Sequence, residues 1–148
     1  MKRFFSGRPY ALVLSVVGLL ALIAPAQAAT RPYHARGNAQ LNGNDFVGEG
    51  IATHLGDYDE VGSVQLSPTP DPSVFLVDAS ATYTAANGDE LYAVITGTLD
   101  GDTGALSATV TYVGGTGRFT SASGTAILSG LLFPDGSLEV DVEGTIDY

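Results

Sequence analysis

The chain has 148 residues, 16 of them acidic and six basic, no cysteine, and a formal net charge of −10. So acidic a balance disfavours nucleic acid and anionic membrane surfaces as partners, since each needs a basic face on the protein. Without cysteine there is no thiol chemistry, no cysteine-attached haem and no cysteine-ligated zinc.

Residues 1–28 read as a secretory signal. Lys2, Arg3 and Arg8 form a basic front, Ala11 to Ala24 is apolar except for Ser15 and Gly18, and Ala26-Gln27-Ala28 is a small-x-small cleavage site. The apolar run is shorter than the ~20 residues a membrane span needs, so cleavage is expected rather than a stable membrane anchor. What remains is a single domain, 29–148, secreted or periplasmic. In it Arg31, Arg36 and Arg118 stand against all 16 acidic residues.

No helical stripe follows. Turn signals recur at the intervals of a β meander. A weak first strand ends at Asn42-Gly43-Asn44-Asp45, and Phe46–Leu55 follows. Gly56-Asp57 leads into Tyr58–Leu66. Pro68, Pro70 and Pro72 make a stiff connection that cannot join a ladder. Ser73–Ala85 is a long strand, and Asn87-Gly88 signals a short hairpin into Glu90–Leu99. The turn Asp100-Gly101-Asp102-Thr103-Gly104 precedes Ala105–Val113. The glycine-rich hairpin Gly114–Gly117 leads to Ser123–Phe133, and Pro134-Asp135-Gly136 leads to Leu138–Tyr148. The class is all-β. Eight strands with short links most economically close into one antiparallel barrel, which removes exposed edges; a β-sandwich is the alternative.

The last strand shows the phase most clearly. Leu138, Val140, Val142, Ile146 and Tyr148 point one way, and Glu139, Asp141, Glu143 and Asp147 the other. A slip of one residue would bury four carboxylates. Other strands are apolar on both faces: Val77, Ala79, Ala81 and Tyr83 oppose Val74 and Leu76, while Leu128 and Leu132 oppose Ile127 and Leu131. The excess points to self-association as a homo-oligomer or to a tail packed outside.

The segment Gly114-Gly115-Thr116-Gly117-Arg118-Phe119 looks like a phosphate loop but joins strand to strand. A dinucleotide fingerprint must open a helix and needs a third glycine, where Thr120 stands. A Walker loop needs a lysine, and none occurs after Lys2. The glycines are read instead as structural hairpin residues supplying positive φ. With the following Ala122 and Gly124, this segment resembles the equivalent hairpin of the allene oxide cyclase and dirigent protein barrels. That resemblance covers about a dozen residues clearly. It implies a calycin-like eight-stranded barrel, and the related barrels are trimers. It carries no substrate-binding residue over to this chain.

Candidate chemistry is sparse. His54 is placed near a strand end, where it could act as a general base or ligand anchor at a barrel mouth; a hydrogen-bonded structural role is the plainer reading, since no nucleophile partner is identifiable by spacing. His34 falls near the expected cleaved terminus, where order is usually lost. Asp78 is the one carboxylate inside a long apolar strand. It is a site candidate if its face lines the lumen and a solvated acid if its Ser80 and Thr82 neighbours face water. Tyr83, Tyr92 and Tyr112 are candidates to line an apolar cavity with polar tips, or core filler. Two distant histidines give no metal site, and Asp100-Gly101-Asp102-Thr103 lacks the spacing and closing Glu of a calcium loop. No cofactor is implied. Arg118, in a hairpin on an acidic body, is expected to pair with a carboxylate or cap carbonyls; anchoring an anionic ligand is the competing view.

Three functions remain open. The first is a barrel binding a small apolar ligand in its lumen. The second is an enzyme-like barrel that confines a reactive intermediate, with His54 or Asp78 as its polar group. The third is a structural, self-associating exported protein.

Overall fold

The structure, a computed structural model, describes residues 29–148; the signal-segment reading of 1–28 lies outside the described residues. Eight antiparallel strands follow in chain order: β1 (Thr30–Asn42), β2 (Asp45–Ala52), β3 (Gly56–Pro68), β4 (Val74–Ala85), β5 (Glu90–Asp100), β6 (Ala105–Gly115), β7 (Ser123–Leu132) and β8 (Ser137–Asp147). Each pairs with the next, and β8 pairs back onto β1, so the sheet closes into an up-and-down barrel. The closing ladder runs from Thr30↔Asp147 to Gln40↔Ser137. Every strand therefore has two partners and no edge is left unpaired. The two-sheet alternative falls away.

Period two decides which side chains fill the barrel. On β4, Val77, Ala79, Ala81 and Tyr83 are buried, while Leu76, Asp78 and Ser80 are exposed. On β8, Val142 and Ile146 are buried and Glu139 and Glu143 are exposed. Polar neighbours separate several of the outward apolar residues. Val94 lies between Ser80 and Thr111, and Ile127 between Thr109 and Glu143. Hydroxyl and carboxylate neighbours thus interrupt the outer apolar face at these positions, while Val47 pairs with Val61, Leu131 with Ala105, and Val113 lies opposite Tyr92.

Two boundaries depart from expectation for a physical reason. The first strand is not weak: it runs 13 residues and is zipped on both sides, which overrides its poor local pattern. His34 accordingly sits mid-ladder, 3.4 Å from the Glu143 carboxylate, rather than in a loose terminus. His54 leaves its strand, because β2 ends at Ala52 and residues 53–55 form the turn into β3. Pro68 also joins the ladder, paired with Phe75 as the last residue of its strand, where no further donor is required.

The connections sort the barrel into two ends. One end carries the β1–β2, β3–β4, β5–β6 and β7–β8 turns. The other carries the remaining turns and the β6–β7 hairpin, and it is plugged. Phe119, Leu91 and Ile146 are fully buried there, with Leu55 and Ala122 beside them. The hairpin makes the plug. Val113 and Gly114 together oppose Tyr92, a one-residue bulge in β6 that Gly114 allows at φ +112°. A single 3-10 turn, Gly117–Phe119, then tips Phe119 into the barrel end.

Candidate functional site

Above that plug the barrel is hollow. A cavity of about 80 Å³ runs from mid-barrel tyrosines to leucines at the opposite end, among them Leu41, Leu66, Leu106 and Leu138. At roughly 10–15 Å³ per enclosed water this is room for about five to eight waters. Small inward residues leave the space: Ala35, Ala39 and Ala79 all face it.

Four tyrosines and one carboxylate supply the polar atoms of the wall. Tyr33 and Tyr112 meet with ring centroids 5.0 Å apart, and Tyr58 and Tyr83 pack edge-on at 5.4 Å. Glycines make this possible. A Cβ on Gly37 would lie 2.5 Å from the Tyr58 hydroxyl and one on Gly50 2.6 Å from it, so β1 and β2 give up side chains where the Tyr58 ring lies.

Glu60 is the buried carboxyl group of this interior, only 8% exposed. It stands opposite Tyr83 in the β3–β4 ladder. Burial disfavours its charged form and pushes its pKa up to about 7; the nearby Tyr83 hydroxyl opposes this only in part. Burial likewise raises all four tyrosines, so their hydroxyls stay protonated. The Tyr112 hydroxyl is buried with no hydrogen-bond partner. The Tyr33 hydroxyl lies close enough to perturb it but outside bonding geometry. An unmet buried hydroxyl costs ~1–3 kcal/mol, and here it belongs to a residue of the cavity wall.

Of the residues singled out from sequence, Tyr83 and Tyr112 meet at this cavity. Tyr92 is on the outer face, its hydroxyl donating to the Glu90 carboxylate at 2.7 Å. Asp78 is exposed on the outside of β4. His54 lies at the plugged end and does not line the cavity; its Nε2 donates to the Pro32 carbonyl at 2.7 Å and its Nδ1 accepts from the Tyr148 hydroxyl at 3.1 Å. The enzyme-like reading named His54 or Asp78 as its polar group, and neither lines the cavity. Asp100 spends its Oδ1 on the backbone amides of Asp102 and Thr103, closing its own turn. Among the described residues no three histidine or carboxylate groups converge on a metal position.

Arg118 spans two turns. Its Nη2 donates to the His54 carbonyl at 2.6 Å, and its Nε lies 3.7 Å from Asp89 Oδ2. Gly117 beside it has φ +54°, with Asp89 packed where a Cβ would stand. The glycine-rich segment therefore binds the barrel's own Asp89 and His54 loops.

Glu60, Tyr33 and Tyr58 were not among the residues singled out. Their signal was nevertheless present: Tyr58, Glu60, Val64 and Leu66 share one phase of β3, which places a carboxylate in register with an apolar face. No protein-family model matches this chain, and no curated protein sequence matches it.

Proposed function

We propose that this protein is a binding barrel that holds a small, largely apolar molecule in its lumen. The carrying observation is the cavity itself: an apolar, leucine-lined space inside a barrel plugged at one end only, with a few convergent polar groups on its wall. The resemblance of the Gly114–Phe119 segment to allene oxide cyclase and dirigent barrels supports the same reading by analogy. The basic, apolar and small-residue pattern of residues 1–28 supports an exported location.

The test is to fill the space. Ala79 faces the cavity, and Ala79→Leu would occupy it at an overpacking cost of ~1–3 kcal/mol. Hexan-1-ol, with seven heavy atoms, suits the volume. Titrated into the protein, it should shift the methyl NMR signals of Val142 and Leu128 in the wild type and leave them unmoved in a folded Ala79→Leu variant. Absence of any shift in the wild type, or an equal shift in the variant, would overturn the proposal.

A further inference from the structure

The binding reading leaves open what chemistry the lumen selects, and the placement of charge narrows it. Glu60 lies on the cavity wall with neutral Tyr83 opposite it in the ladder. The three arginines among the described residues are all elsewhere: Arg31 over the Tyr148 ring, Arg36 on the outer face paired with Asp141, and Arg118 at the plugged end. At the leucine-lined end, each of the four turns carries a carboxylate at or beside it: Asp45, Asp71, Asp100 with Asp102, and Asp135. Hydrogen bonds within their own turns hold Asp71, Asp100 and Asp135 below the usual carboxylate range, chiefly from Ser73, Thr103 and Ser137, so they stay charged. An approaching molecule thus meets negative charge at the rim, then leucines, then a buried carboxyl group.

We propose, resting on the lumen-binding reading, that the ligand is an apolar amine whose ammonium group sits against Glu60 on the cavity wall. An ammonium has three donors and no acceptor, and the polar atoms here — one carboxylate and phenolic oxygens — can all accept. It supplies the opposite charge that a buried carboxylate otherwise lacks. The tyrosine rings of the wall add their π faces. A carboxylated ligand would be repelled at the rim and again at Glu60. An alcohol offers a single donor and no charge. The acidic rim raises the local concentration of a cation and speeds its capture.

Three matched probes decide it: hexylamine, hexan-1-ol and hexanoate, with dissociation constants read from methyl NMR titration. Hexylamine should bind at least tenfold tighter than hexan-1-ol, with hexanoate weakest. In Glu60→Gln, hexylamine should fall to the level of the alcohol while the alcohol itself is unchanged. Should that variant fail to fold, the wild type carries the same test. The groups facing Glu60 are Tyr83 on its neighbouring strand and Tyr33 and Tyr58 around the wall, all protonated throughout the range, so Glu60 is the group that titrates. Hexylamine affinity should therefore drop about tenfold or more between about pH 8.5 and about pH 5 as the carboxylate takes up its proton, with hexan-1-ol indifferent. Equal binding of amine and alcohol, or an amine affinity unaffected by Glu60→Gln, would overturn the amine inference and leave the lumen reading standing. Binding of none of the three overturns both.

Discussion

Glu60 is where burial and charge conflict most sharply in this protein. The folded state keeps its proton up to about pH 7, whereas an unperturbed glutamate loses it near 4.5. Folding is therefore favoured by this group below pH 4.5, and that contribution is lost as pH rises through about 7. The shift corresponds to about 3 kcal/mol. Glu60→Gln keeps the shape and removes the titration, so the stability difference between variant and wild type should be small near pH 4 and favour the variant by up to about 3 kcal/mol at pH 8. Urea denaturation at a series of pH values measures it, and a pH-independent difference would place Glu60 in contact with water. Arg118 is a milder case. Its side chain is 41% exposed, so Arg118→Gln should cost little, ~0–1 kcal/mol for the exposed ion pair. That substitution leaves hexylamine binding untouched, because Arg118 lies at the plugged end.

The β6–β7 hairpin shows how one element sets the depth of the lumen. Its bulge at Gly114 and its 3-10 turn act together to drive Phe119 into the barrel end, where it packs 5.0 Å from the Tyr148 ring. Removing that ring by Phe119→Ala should destabilise the fold by ~3–5 kcal/mol, the usual cost of a large buried aromatic. It should also lengthen the cavity toward Tyr33, so that a chain one or two carbons longer than hexan-1-ol gains affinity relative to wild type. Thermal denaturation and the same NMR titration read the two effects separately. A fall in stability with no change in length preference would mean that the hairpin closes over the gap. Gly117→Ala tests the turn itself, since the added methyl meets both a positive φ and the Asp89 carboxylate.

At the scale of the molecule, closure governs everything else. The ends of the described residues lie side by side, since Thr30 pairs with Asp147. A circular permutant joining Tyr148 to Thr30 through a short linker, with new ends in the exposed Gly43–Asn44 turn, should therefore fold to the same barrel. It should retain hexan-1-ol binding, with far-UV circular dichroism and the methyl spectrum as readouts. A permutant that aggregates would show that the β1–β2 turn, rather than closure, organises folding.

Much of this architecture was legible beforehand because strand phase is local. Val140 and Val142 alternate with Asp141 and Glu143, and no tertiary contact is needed to see which side avoids water. The strands and their turns follow from the same alternation and from glycine, asparagine and proline at the connections, whereas the lumen position of Tyr83 and Tyr112 does not. Glu60 escaped notice because it closes the run Asp57-Tyr58-Asp59-Glu60, whose charge suggests a solvated face; its burial follows from its phase with Tyr58, Val64 and Leu66. Tyr33 escaped notice because β1 is locally poor and is held by β8, more than a hundred residues away in the chain. Asp78 could be read either way until the barrel closed, since β4 is apolar on both faces and only the ring of neighbouring strands decides which face is inside. The sequence by itself determined the strands, their turns and the acidic balance of the chain, because these depend on neighbours two or three residues apart. Only the tertiary structure decided that one carboxyl group and four tyrosines share an apolar cavity, because Tyr33, Glu60, Tyr83 and Tyr112 meet through pairing between distant strands, which no local pattern encodes.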